Sequence, residues 1–212
     1  MMVAPRICLW HGDCRGLTWP IADLVVGDPP WTYAQQFSGS HASDHYPCLS
    51  TKLIADFLDQ LPGHRLALWM TFPLLDEWTR RTSQWTWGSI RSAGTWVKSL
   101  PEDRGHYGPG YHWAGCAECV LLYTRGAAYN NRSKLRNAWV ARPTEHSVKP
   151  VDWMTQWVQR WVPNGGMVTD PFAGFGSVAM AVKQAGGRRR YMGAEIQAQV
   201  HARAVQRIRH SC

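Results

Sequence analysis

Met167-Val168-Thr169-Asp170-Pro171-Phe172-Ala173-Gly174-Phe175-Gly176-Ser177-Val178-Ala179 decides the fold. Its first four residues read as a strand, the Pro and Gly positions as a turn, and the apolar residues after Ser177 as the start of a helix. Gly174-Phe175-Gly176-Ser177-Val178-Ala179 matches the G-x-G-x-x-G/A pattern, in which glycines let backbone approach a ligand closely. The next strand, Arg190-Tyr191-Met192-Gly193-Ala194-Glu195, ends on a carboxylate placed to accept from ribose hydroxyls. The stretch therefore predicts an adenosine-containing cofactor at a strand-to-helix turn. A dinucleotide and S-adenosylmethionine both meet that description. Asp170 favours the second, because a carboxylate at the strand end suits a cationic ligand and repels a pyrophosphate.

The same alternation runs outward along the chain. Arg6 to Trp10 reads as a strand ending in His11-Gly12-Asp13-Cys14, and Ala22 to Gly27 as a second. Ser50 caps a helix through about Leu61, with Leu53, Ile54, Phe57, Leu58 and Leu61 on one face. Arg65 to Phe72 is a third strand, with a helix to about Gln84 behind it. The stretch 85–145 is irregular and reads as a small insert within a single domain, with strands at Thr95–Lys98 and Glu118–Tyr123. Pro150 opens a helix whose stripe is Val151, Met154, Trp157, Val158, Trp161 and Val162, and Asn164-Gly165-Gly166 ends it. Strands alternating with helices argue an α/β fold with a mostly parallel central sheet.

Asp28-Pro29-Pro30-Trp31 closes the second strand. Two prolines remove two backbone donors and leave carbonyl acceptors; Asp28 adds carboxylate oxygens and Trp31 a flat apolar face. Together they form a clamp for a planar ring bearing an exocyclic amine. The same four residues also suit a rigid strand-to-loop turn.

The formal charge of +8 over 212 residues and the density of arginine favour a polyanionic partner. No apolar run is long enough to span a bilayer, and the N-terminus lacks a signal-peptide pattern, so a cytoplasmic protein is expected. Six scattered cysteines include Cys116-Ala117-Glu118-Cys119, but no second ligand pair accompanies it, so no metal site is expected and the thiols read as reduced. Most of the thirteen tryptophans read as packing residues, Trp153, Trp157 and Trp161 among them.

With these motifs in place, the chain resembles the amino-group DNA and RNA methyltransferases. Asp28-Pro29-Pro30-Trp31 is similar to their substrate-amine motif, and Asp170 to Gly176 to their S-adenosylmethionine loop. The amine motif comes first, which is the permuted order of the beta class. His11-Gly12-Asp13-Cys14 fits the strand end at which, in that class, the Asp meets the cofactor adenine. His146-Ser147-Val148-Lys149-Pro150 resembles the Lys-Pro motif, which implies a contact of Lys149 with the cofactor carboxylate. Trp at position 31, Asp44-His45-Tyr46-Pro47, Leu68-Trp69-Met70-Thr71 and Gly108-Pro109-Gly110-Tyr111 are similar to the mRNA-adenosine-methyltransferase-like family, which includes many phage enzymes acting on DNA adenine. Unlike many relatives, the chain carries no large target-recognition insert.

The resemblance implies a Rossmann-like methyltransferase fold with an antiparallel edge hairpin, and methyl transfer to the N6 amine of adenine in DNA, in a bacterial or phage-infected cell. Asp28 and the Pro29 carbonyl would accept the amine hydrogens, with Pro30 shaping the turn and Trp31 stacking on the base. Tyr46 is a second stacking residue and His45 a positioning group. Asp13, Asp28, Lys149, Asp170, Phe172, Gly174, Gly176 and Glu195 would hold the cofactor, and Arg132, Arg136 and Arg142 would meet phosphates. An RNA adenosine enzyme, a cytosine-N4 enzyme and a silent nucleic-acid-binding partner subunit are the competing readings. Tetrads of the cytosine-N4 group more often begin with Ser. A monomer or homodimer is expected.

Overall fold

The computed structural model describes residues 6–32, 48–98, 116–126, 128–130, 135–143 and 148–210. Eight strands form one sheet: β1 (Ile7–His11), β2 (Leu24–Gly27), β3 (Arg65–Met70), β4 (Ser92–Val97), β5 (Ala117–Thr124), β6 (Ala138–Val140), β7 (Met167–Asp170) and β8 (Arg190–Glu195). Their spatial order is β1-β8-β7-β2-β3-β5-β4-β6. Only β5 runs against the others, pairing antiparallel with β3 and with β4. The helices are α1 (Thr51–Gln60), α2 (Leu75–Arg81), α3 (Val151–Trp161), α4 (Ser177–Ala185) and α5 (Ala198–His210).

Central strands covered on both faces are apolar on both faces. β2 obeys this, and so does β3 from Leu66 to Met70, with every residue of both strands buried. Val25, Leu66 and Leu68 pack with Ile54, Ala55 and Leu58 of α1 and Trp78 of α2. Leu24, Val26, Ala67 and Trp69 face the opposite layer, α3 and α4. The tryptophans fill both layers. Trp69 meets Trp96 and Trp153 edge-on, each at 6.0 Å between ring centroids, and Trp157 at 5.6 Å. Beyond α1, Trp78 meets Trp31 at 5.4 Å and Trp85 at 4.9 Å, and its indole N–H donates to the Tyr123 hydroxyl.

Three expectations need correction. β4 and β5 pair antiparallel, but β6 adds outside β4 in parallel, so the pair lies one strand in from the edge. Ala138-Trp139-Val140 is too short for its periodicity to be read in advance. Leu53 sits on the solvent side of α1, 48% exposed. The third strand ends at Met70, and a 3-10 turn at Phe72–Leu74 precedes a helix that stops at Arg81. Ser50 does cap α1, its hydroxyl accepting from the Leu53 N–H.

The connections place the site. From β2 the chain moves to α1 on one face and then to β3; from β7 it moves to α4 on the other face and then to β8. The chain thus diverges between two adjacent parallel strands, which opens a crevice at their carboxyl ends, where open α/β sheets bind ligands.

Candidate active site

Asp28 and Asp170 stand on either side of that crevice. The pairs Leu24↔Val168 and Val25↔Thr169 bring Val26 level with Asp170, so Asp28 projects just beyond it. Asp28, Trp69, Lys149, Asp170, Phe172 and Gly174 line one recess.

Its floor is a chain of alternating charge. Lys149 Nζ lies 2.7 Å from Asp28 Oδ2 and 3.2 Å from Glu118 Oε2. Lys98 closes on the other Glu118 oxygen. Lys149 also stands 5.2 Å over the Trp69 ring. An ammonium just before the N-terminus of α3 opposes the helix dipole, so it needs these carboxylates. Burial alone would lower the Lys149 ammonium, but Asp28 and Glu118 hold it above its ordinary value. Burial likewise pushes Glu118 up, and Lys149 with Lys98 bring it below the usual glutamate range. Burial holds the Asp28 carboxyl above its ordinary value, and the Lys149 ammonium offsets only part of that rise. Lys149 takes Oδ2, and among the described residues no hydrogen bond or ion pair engages Oδ1.

The glycine turn forms the opposite wall. Gly176 has φ +76°, a conformation that strains any other residue, and a Cβ there would crowd Ile208 Cδ1 at 3.1 Å. The Gly174 N–H donates to Glu195 Oε2 at 3.0 Å, and Gln197 N–H to Oε1 at 2.8 Å. Glu195 thereby ties the turn to the end of β8, with lone pairs to spare. The Gly12 N–H donates to the Glu195 carbonyl, which brings Asp13 out of β1 beside it. Arg15 binds the Asp13 carboxylate and lowers its pKa.

Asp170 is buried, with its Oδ2 accepting from the Tyr191 hydroxyl at 3.1 Å. Burial pushes this carboxyl up to about 7 against the pull of Tyr191, with the Asp28 charge adding to the rise. Gly193 makes room for that contact, since a Cβ there would overlap the Tyr191 hydroxyl. Gly193→Ala is expected to displace Tyr191 from Asp170 and cost about 1–3 kcal/mol, as overpacking does. A thermal denaturation midpoint unchanged from wild type would refute this.

Other predicted residues are placed differently. Trp31 is 4% exposed and packed on Trp78, so it belongs to the core instead of offering an open stacking face. The Pro30 carbonyl is taken by the Leu49 N–H at 2.8 Å; among the described residues no hydrogen bond engages that of Pro29. Phe172 meets Phe57 edge-on and lines the recess. Lys149 pairs with Asp28 and Glu118, a pairing its motif did not announce. Arg136 and Arg142 are exposed. His45, Tyr46, Arg132, His146 and Gly108 to Tyr111 lie outside the described residues. Cys119 is buried with its thiol on the Met70 carbonyl, and no metal-binding cluster occurs among the described residues.

The place of Glu118 and Lys98 at the site could not be read from the sequence, because it depends on β5 lying between β3 and β4. Trp69 Nε1 and Thr71 Oγ1, at the same end of β3 as the recess, are buried without hydrogen-bond partners among the described residues. Buried polar atoms are rarely left so. Carboxylates at three strand ends, a glycine turn and these orphaned atoms fit a cationic, adenosine-bearing cofactor.

This α/β fold is shared with solved DNA methyltransferases. Residues 122–206 match the N6/N4 methyltransferase family model, described as DNA methylase. The M1.HpyAVI–SAM complex shares the fold at TM-score 0.67 and 16% identity, over 95% of this chain and 99% of that one. TTHA0409 from Thermus thermophilus, complexed with S-adenosyl-L-methionine, matches at TM-score 0.61 and 21% identity, over 96% and 95%. PvuII DNA methyltransferase, cytosine-N4-specific, matches at 0.67 and 12% identity, over 96% and 86%. No curated protein matches the chain.

Proposed function

We propose that this protein transfers a methyl group from S-adenosylmethionine to the exocyclic N6 amine of adenine in DNA. The observation that carries this reading is Asp28: a carboxylate at a strand end, lining the recess, with one oxygen held by Lys149. The family match over 122–206 and the cofactor-bound neighbours support the cofactor, and the net charge of +8 supports a nucleic-acid partner.

Asp170 and Glu195 would hold the ammonium and ribose ends, with Gly174 and Gly176 allowing close approach and Phe172 covering the ring. When bound, S-adenosylmethionine supplies an electrophilic methyl group on a sulfonium. The amine of adenine is a poor nucleophile, because its lone pair is delocalised into the ring. Asp28 Oδ1 and the Pro29 carbonyl accept its two N–H bonds, favour a pyramidal nitrogen and stabilise the positive charge that develops there. The Lys149 ammonium favours the ionised, acceptor-only form of Asp28 against the opposing effect of burial. In a duplex, the target base must first leave the stack.

Asp28 in place of the Ser more common among cytosine-N4 enzymes favours adenine; the PvuII neighbour makes N4 the reading to test against. Protein incubated with labelled S-adenosylmethionine and unmethylated duplex DNA, followed by digestion to nucleosides, is expected to yield N6-methyldeoxyadenosine. Label on N4-methyldeoxycytidine would overturn the adenine assignment. Label on RNA alone would overturn the polymer.

A pH dependence follows from Asp170. Its carboxyl sits near 7 in the unliganded protein, and a bound ammonium favours the ionised form, so binding below that pH must expel a proton. Affinity for S-adenosylhomocysteine is expected to rise with pH, by up to about tenfold per unit, and level off above about 7. Titration calorimetry from about pH 5.5 to 8.5 checks this. A flat affinity would sink it. For the stability of the fold itself the opposite trend is expected. Its Asp170 carboxyl is raised from 3.8, so this group's contribution to stability is full below 3.8 and is lost as pH rises to about 7.

A further inference from the structure

A second cleft, of about 260 Å³, lies under the C-terminal half of α3. It is bounded by the start of β3, the end of β5 and the segment ahead of β6, with Arg65, Arg160, Arg136, Trp161, Thr124 and Asn137 among its lining. Gly27↔Leu68 puts Asp28 level with Trp69, so Arg65 is four residues, about 13 Å, down the strand from the crevice. The cleft is therefore a separate feature of the sheet.

Arg65 is 6% exposed, which is unusual for arginine without an anion. One Nη donates to the Tyr129 carbonyl at 3.0 Å, and the guanidinium stands 5.2 Å over the Trp161 ring. Its Nε is buried and has no hydrogen-bond partner among the described residues. The cleft holds two further arginines, and among its described lining residues there is no Asp or Glu. Burial, reinforced by the nearby Arg160 charge, lowers the Arg65 pKa. A guanidinium cannot escape that strain by losing its proton at neutral pH. An anion can relieve it.

We infer that this cleft binds a phosphate group, a mono- or diester, through Arg65, Arg160 and Arg136. A phosphate offers oxygens to several planar guanidinium forks at once, and its charge answers the crowded cations. Trp161, Thr124 and Asn137 leave apolar and polar surface for the sugar or base beside it. Two sources share this chemistry: a free nucleotide, or the backbone of a nucleic-acid strand running over this face.

The test is calorimetry on the full chain with inorganic phosphate, 5′-dAMP and a short single-stranded oligodeoxynucleotide as separate probes. At least one is expected to bind wild type, and Arg160→Gln and Arg136→Gln are each expected to weaken it about tenfold or more. Arg65→Gln should do the same if circular dichroism shows it folded; if it is not folded, the other two variants decide. Binding of phosphate and dAMP identifies a nucleotide site, and binding of the oligonucleotide alone a strand contact; either supports the proposal. Absence of binding by all three probes at millimolar concentration overturns it. So does binding that Arg160→Gln and Arg136→Gln leave unchanged.

Discussion

Asp28→Ala is expected to lower the rate of methyl transfer by about a thousandfold or more while leaving the fold intact. Removing one preorganised partner of a developing charge costs about 10²–10³ in kcat, and here the carboxylate also supplies the charge. Asp28→Asn keeps one acceptor oxygen but places an N–H donor against the amine, so a loss of about 10²-fold is expected from the isostere. The fold should persist because Lys149 retains Glu118 as a partner. Single-turnover rates alongside thermal melts separate the two effects. A variant with activity within tenfold of wild type would show that Asp28 is only a turn residue, the other reading its Pro-Pro context allows.

Lys149→Ala is expected to damage stability as well as activity. It leaves two neighbouring carboxylates, Asp28 and Glu118, without their shared cation. Truncating one member of a buried ion pair costs about 3–5 kcal/mol. Because the Asp28 side chain is about a third open to solvent, the low end, about 3 kcal/mol, is expected. The sign of the pH dependence follows from the shifts. Glu118 is held below 4.5, so its contribution is present above 4.5 and is lost as pH falls through its folded value. Lys149 is held above 10.5, so its contribution is present below 10.5. The penalty should therefore be full at neutral pH and fade in acid, once the orphaned carboxylates are protonated. Urea denaturation at pH 7 and about pH 4 measures it. Equal penalties at the two pH values would overturn the ion-pair account. The Asp28 carboxyl should also move further up, shifting the acid limb of the rate profile to higher pH.

How far the sequence could be read depended on the range of each interaction. β2, β3, α1, α3 and the β7-turn-α4 unit were legible because each carries its own pattern, strand run or cap. β6 was not, because three residues carry no period and its pairing with β4 comes from across the insert. Trp31 departs from its expected role for a related reason. Its place beside Asp28 suggests a ring facing substrate, but the packing partner that buries it, Trp78, lies on α2, far along the chain. Glu118, between two cysteines that point to another chemistry, becomes part of the site only when β5 is laid antiparallel on β3.

By itself, the sequence determined the α/β alternation, the glycine turn at Gly174–Gly176 and the carboxylates that end β2, β7 and β8, because a strand end and the turn after it are encoded within a few residues. Only the tertiary structure decided the rest. It set β2 beside β7 so that Asp28 and Asp170 flank one crevice, and joined Lys98, Glu118, Lys149 and Asp28 into one chain of charges. It also buried Arg65 beside Arg160 at the far end of β3. Each of these is a through-space juxtaposition of charges from distant segments, whose energy depends on separation and burial and not on spacing along the chain.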